Sequence, residues 1–288
     1  MRNIFILLLA AVVLMGCSSD DTLTEDYRIN FIVAHPSEII TRATSTRFEV
    51  GDKIGVYATE EGHLLEPSGN YLNNNPLSYD GTQWNSKRYL TWNEGHYDFY
   101  AYYPYQETIG SVDDMPFCVA ADQSRIGTST EYGGYESSDF MYARTNNVAA
   151  STDAVQLQFR HIMARLVIRL IKGEDYEGLL PENAEVYVHN TVTQATIDLK
   201  TGNVTKTIKG TTETIKTRYE GNNIYSAIIV PQRIVNRRPL VEVVVNGVSY
   251  LYEGTFVFRS GTQHLVNLVI DRNPEQAFIQ IGGEKVNW

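Results

Sequence analysis

Short apolar runs alternate with polar residues along most of the chain, the period-two pattern of half-buried β-strands. The stretch that organises the rest is Tyr27 to Ala58, YRINFIVAHPSEIITRATSTRFEVGDKIGVYA. Tyr27, Ile29, Phe31 and Val33 share one face, which predicts a strand with an apolar edge. A second short run, Ile54 to Ala58, follows a turn at Gly51-Asp52. Between them, Pro36 to Thr46 is rich in Ser and Thr and holds the dipeptide Arg42-Ala43. A strand tied to its domain by an exposed, Arg-containing linker is removable by one proteolytic cut. Its loss would leave a groove of unpaired backbone groups and apolar pockets.

From 47 to 150, runs such as KRYLTW, HYDFYAYYPY, PFCVA and DFMYA are separated by Asn73-Asn74-Asn75-Pro76, Asp80-Gly81, Asn93-Glu94-Gly95 and Gly133-Gly134. Short strands with frequent turns predict a β-sandwich. In Tyr97 to Tyr103, residues Tyr97, Phe99, Ala101 and Tyr103 fall on one face, and Asp98, Tyr100 and Tyr102 on the other. Asn146 to Asp153 is small and polar and marks a domain boundary, giving 27–150 and 151–288. Val155 to Ile171 is compatible with a helix or with a strand whose register slips near Arg160-His161, because one extra residue exchanges the two faces. Downstream, AEVYVHN, ATIDL, IYSAIIVP, TFVF and HLVNLVI continue the alternation. Asn246-Gly247 predicts a tight hairpin turn, since both positions of such a turn need positive φ.

The first residues read as a targeting segment. Arg2 precedes an apolar run, Ile4 to Leu14, too short for a membrane span of about 20 residues. It predicts a signal peptide, 1–16, and a flexible tether, 17–26. Leu14-Met15-Gly16-Cys17 looks like a bacterial lipobox, which makes Cys17 the expected lipidated mature N-terminus. With Cys17 acylated, Cys118 is left without a disulfide partner and reads as a small core residue. The net charge of −10 over 288 residues excludes nucleic acid and anionic membrane surfaces as natural partners. Nineteen Tyr fit β-structure with one wet face.

Recognisable catalytic chemistry is missing. The six His (His35, His63, His96, His161, His189 and His264) never take metal-ligand spacing. There is no CxxC, no GxSxG and no phosphate loop. Asp20-Asp21 and Asp113-Asp114 read as solvated loop acids, and His161, between apolar stretches, as a hydrogen-bonded structural residue. No enzyme activity, cofactor or metal is expected.

Taken in order, these motifs resemble the fimbrillin family of Bacteroidetes, the subunits of type V pili. The lipobox with its acidic tail, Ser18-Ser19-Asp20-Asp21, is similar to surface-lipoprotein export signals of that phylum. Thr41-Arg42-Ala43 then leads into FEVGDKIGVYA. Tyr89 to Tyr103 is followed by DFMYA at Asp139 to Ala143. LQFRHIMARLVIRL, Leu157 to Leu170, is similar to the family's F-x-H-x-x-A-[KR] strand. IIVPQ and FRSGTQHLVNLVI follow in place.

The resemblance implies an all-β fold of two tandem transthyretin-like β-sandwich domains. It implies an outer-membrane lipoprotein precursor exposed at the surface, cut after an Arg by a trypsin-like protease. Loss of the first strand opens a groove on the sheet edge, which a neighbour's C-terminal strand fills. Carried over, Tyr27 to Ala34 is the removable strand, within 27–42. Arg42 and Ala43 flank the cut, with Arg28 and Arg47 as weaker candidates. Phe278, Ile279, Gln280 and Ile281 form the donor segment. Implied partners are other pilus subunits, the protease, the outer membrane through the lipid, and host or bacterial surface ligands. A glycan-binding lipoprotein of a nutrient-uptake system is the alternative, with Tyr100, Tyr102 and Tyr105 as sugar-stacking candidates.

Overall fold

The computed structural model describes residues 27–36, 47–128, 131–181, 184–274, 277–286 and 288. Cys17, Arg42 and Ala43 lie outside these. The chain is all-β, two β-sandwiches in tandem, with a 3-10 turn at Glu136–Ser138.

The first half contributes β1 (Phe31–Ala34), β2 (Lys53–Glu60), β3 (Leu72–Tyr79), β4 (Trp84–Ser86), β5 (His96–Tyr103), β6 (Met115–Cys118) and β7 (Met141–Ala149). Two short strands follow, β8 (Val155–Gln158) and β9 (Arg160–His161). A six-stranded sheet has the order β4-β3-β2-β5-β7-β9, and β1 pairs with β8 in parallel beside it. The expected boundary at Asn146–Asp153 precedes β8 and β9 in sequence. Both nevertheless pair with first-half strands, β8 with β1 and β9 with β7.

The second half holds β10 (Ala164–Lys172), β11 (Glu185–Val192), β12 (Gln194–Asp198), β13 (Asn203–Lys206), β14 (Thr212–Lys216), β15 (Arg218–Gly221) and β16 (Ile224–Ile229). It ends with β17 (Gln232–Val245), β18 (Val248–Phe258), β19 (Thr262–Ile270) and β20 (Phe278–Val286). One sheet runs β15-β16-β10-β19-β20 and faces another of order β14-β11-β17-β18. The third, β13-β12-β6, takes its last strand from the first half and so ties the halves together.

Val155 to Ile171 is β and not helix, in three strands (β8, β9 and β10) broken at Phe159 and at Ile162-Met163, and the slip in its alternation is not a bulge. Val155, Leu157, Phe159 and His161 are buried at period two, and Ala164, Leu166, Ile168 and Leu170 one register later. Between them the chain leaves one sandwich and enters the next. The face exchange therefore records a change of core.

Two apolar clusters account for the burial. The first gathers Ile29, Phe48, Ile54, Val56, Leu77, Trp92, Tyr97, Phe99, Tyr103, Val155, Leu157 and Phe159. The second, larger one fills the C-terminal sandwich and reaches the opposite face of the six-stranded sheet through Tyr57, Tyr100 and Tyr102. Strand β5 thus has a core on each side, which is why both of its faces carry aromatics. Tyr100 and Tyr102 are buried, so they form no platform for sugar rings. Cys118 corrects the core expectation: it lies on the exposed face of β6.

The halves are also clamped. Tyr142 OH donates to Leu199 O at 2.9 Å, Arg144 Nη1 to Lys200 O at 3.1 Å and Arg160 Nη2 to Thr201 O at 3.2 Å. Three consecutive carbonyls of the β12–β13 turn are thereby satisfied from the other sandwich. Gly202 closes that turn at φ +73°, and a Cβ there would lie 2.4 Å from the Tyr142 ring.

Candidate functional site

The lead segment, 27–36, sits in a slot with two walls. On one side Ile29 N–H donates to Leu90 O and Trp92 N–H to Tyr27 O, both at 2.8 Å. On the other, Val155 N–H donates to Asn30 O at 2.8 Å and Phe159 N–H to Ala34 O at 3.0 Å. Between those bonds Phe31, Ile32, Val33 and Ala34 register in parallel with Val155, Gln156, Leu157 and Gln158. The edge expected from the sequence is thus a staggered seat: the first residues pair with one neighbour and the later ones with the other.

Side chains alternate as a strand requires. Ile29 is buried, Phe31 and Val33 are half-buried against the first core, and Ile32 points to solvent. Phe31 meets Phe99 edge-on, with ring centroids 6.0 Å apart. Tyr27 shares their face by period but is exposed, lying at the open end of the slot. Arg28 lies over the Tyr89 ring, 4.5 Å from its centroid.

The next inward position, His35, is one that the sequence pattern did not assign to the strand. It is buried, with its ring 5.0 Å from Phe48 and 5.7 Å from His161. Phe48 belongs to the FEVGDKIGVYA motif. It also meets Trp84, Tyr103 and Phe159, so that motif builds the floor of the His35 pocket. Burial drives the His35 pKa down to about 4, the neighbouring His161 adds to the fall, and Asp139 opposes it. A polar residue at the end of an apolar run reads as the end of a strand. Only the fold shows that it fills a fourth pocket.

His35 and Arg47, which lie on either side of the stretch that carries Arg42 and Ala43, line one cleft of about 690 Å³. In its wall, Asp52 Oδ2 accepts from Glu49 N–H at 2.8 Å and Asp52 Oδ1 from Tyr103 OH at 3.3 Å. Burial raises the Asp52 carboxyl above the ordinary range against those bonds, and it raises Tyr103 and, to about 12, Tyr132. This polar knot links the turn before β2 to the end of β5. Among the described residues no group of His, Cys, Asp and Glu is placed to hold a metal.

The expected donor residues lie at the far edge of the other sandwich. Phe278, Ile279, Gln280 and Ile281 open β20, which is longer than that four-residue run and pairs with β19 as far as Val286. Phe278 and Ile281 are exposed, and Ile279 packs on the second core. Beyond the strand, Trp288 is buried on His161.

The family described as fimbrillin-like matches residues 41–288. The chain belongs to it. Members of this family are structural fimbrial subunits, not enzymes. A Bacteroides uniformis protein named as a fimbrium subunit, Fim1C, is 28% identical over 225 residues, covering 74% of this chain and 70% of the relative. A Bacteroides ovatus protein named as a fimbrium tip subunit, also Fim1C, is 28% identical over 202 residues. That match covers 60% of this chain, but only 36% of the relative. Two crystal structures of cell adhesion proteins have the same fold. The one from B. uniformis has a TM-score of 0.67 at 20% identity, covering 91% of this chain and all of that one. The one from B. ovatus has a TM-score of 0.69 at 19% identity, covering 90% and 96%.

Proposed function

We propose that this chain is a pilin-type subunit of a surface fimbrium, built into the fibre by strand exchange. One observation carries the reading. The lead segment lies between two walls, bonded to them through its backbone, with alternate side chains filling pockets of the first core. A strand held in this way can be exchanged for another, since any extended segment supplies the same backbone ladder and only the pocket residues must fit. While it is seated, the segment also shields the slot from premature pairing.

In this reading the precursor is anchored to the outer membrane by lipid on Cys17. An Arg-specific, trypsin-like protease cuts between Arg42 and Ala43 and releases 27–42. A strand from another subunit then takes the seat. Phe278 to Ile281 is the segment this chain offers in turn to a neighbour. The two sandwiches stay in tandem, with β8 and β9 serving the first and forming one wall of the seat. The relatives named as fimbrium subunits and the shared adhesion-protein fold support a place at the cell surface.

The test is limited trypsin treatment of lipid-free protein, followed by mass spectrometry and native gels. The reading expects loss of the segment ending at Arg42, then a ladder of oligomers once a donor is supplied. A cut that leaves the segment bound, with no assembly, would contradict it.

A further inference from the structure

We infer that the seat does not take β20 from a second copy of this chain. It takes a strand from a different subunit, one presenting aliphatic, aromatic, aliphatic, and aromatic or imidazole side chains at four alternate positions. This rests on the strand-exchange reading above and adds the identity of the partner.

The seat is defined by what fills it: Ile29, Phe31 and Val33 against the first core, then His35 between Phe48 and His161. Set against that pattern, β20 fails in every register and in either direction. Its sets of four alternate residues are Phe278-Gln280-Gly282-Glu284, Gln280-Gly282-Glu284-Val286 and Ile279-Ile281-Gly283-Lys285. Each contains a glycine, which leaves a pocket empty. Each also contains a charged residue, which would have to enter the slot or its mouth. An unfilled pocket and a buried unpaired charge are among the costliest defects a strand can bring.

The glycines have their own reason in the sheet where β20 lies. The register with β19 slips between Leu265 and Val266. At that slip a Cβ on Gly282 would sit 2.8 Å from Leu265 Cγ and 3.1 Å from Leu265 O. Gly283 follows at φ +126°, a region that disfavours side chains. Glu284 then faces His264 Nδ1 at 3.0 Å and pairs with Arg259. The features that spoil β20 for the seat are the ones that fit it to β19.

The experiment uses the full chain with a site-specific protease sequence in place of residues 39–44, so that release does not depend on Arg42. After cutting and removal of the segment, labelled peptides 27–36 and 277–288 are titrated by fluorescence anisotropy. The 27–36 peptide is expected to bind at least about 100-fold more tightly than 277–288, and its Phe31→Gly version to lose most of that advantage. If 277–288 binds within about threefold of 27–36, the inference is overturned and strand exchange stands. If neither peptide binds, both fall.

Discussion

The indole of Trp288 lies flat on the imidazole of His161, with ring centroids 3.7 Å apart and planes 9° apart. His161 Nδ1 lies 2.8 Å from Asp139 Oδ1, and the His35 ring meets His161 edge-on. One buried imidazole is therefore shared by the lead segment and by the residue just beyond β20. Arg165 also lies over the indole, 5.1 Å from the ring centroid. Trp288→Ala should cost about 3 kcal/mol, as for other buried Trp truncations. Chemical denaturation reads the loss. Amide exchange should quicken across 278–286 first and at Val155 and Phe159 less.

His35 makes the seat sensitive to acid. Unfolded, its imidazole titrates near 6.5; in the fold, burial lowers that to about 4. Below pH 6.5 the unfolded chain takes up a proton that the folded chain refuses. Stability from this group is therefore complete above pH 6.5 and is lost as pH falls toward 4, by at most about 3 kcal/mol. His264 is lowered in the same direction by burial, so the comparison must be between variants. His35→Phe should flatten the fall in denaturation midpoint between pH 6.5 and 4 relative to the unsubstituted chain.

The clamp between the sandwiches offers a steric test. Gly202 and Gly178 both have positive φ, but Gly202 abuts Tyr142 and Arg160 while Gly178 faces open space. Gly178→Ala should cost about 1 kcal/mol from backbone strain alone. Gly202→Ala should cost about 2 kcal/mol more, because Tyr142 must give way and its bond to Leu199 O is disturbed. Paired melting curves measure the difference.

Arg165 and Glu220 form a buried pair, with Nη2 to Oε1 at 2.9 Å, and Ser226 also bonds Glu220. Glu220→Ala leaves the guanidinium buried beneath Trp288 without its carboxylate and should cost about 3 kcal/mol. The expected signature is a melting point well below that of Glu253→Ala, whose pairing with Arg237 at 3.7 Å is on the surface.

Much of this was legible in the sequence because it is local. Period two gave the inward residues Ile29, Phe31 and Val33, and Asn246-Gly247 gave its hairpin, with φ of 50° and 80° at the turn. The face exchange within Val155 to Ile171 was visible too, but its cause was not. A bulge and a crossover between cores leave the same trace along one chain. What stayed hidden depends on distant partners: the parallel pairing of β10 with β19, the loan of β6 to β12, and the burial of His35. Cys118 was misread because a small apolar residue between Phe117 and Val119 looks like core. Alternation puts it on the other face. The Gly-Gly pair shortened the expected donor run, since two glycines usually end a strand, whereas here they accommodate a slip in register.

Strand exchange requires that residues 27–36 be a replaceable strand seated between residues 90–92 and 155–159. Amide hydrogen exchange at Val155 and Phe159, whose N–H groups donate to Asn30 O and Ala34 O, tests it most directly. After the chain is cut following Arg42 and the segment removed, both amides should lose protection, then regain it when the 27–36 peptide is added. Protection unchanged by the cut, or lost and never restored by a strand, would contradict the account.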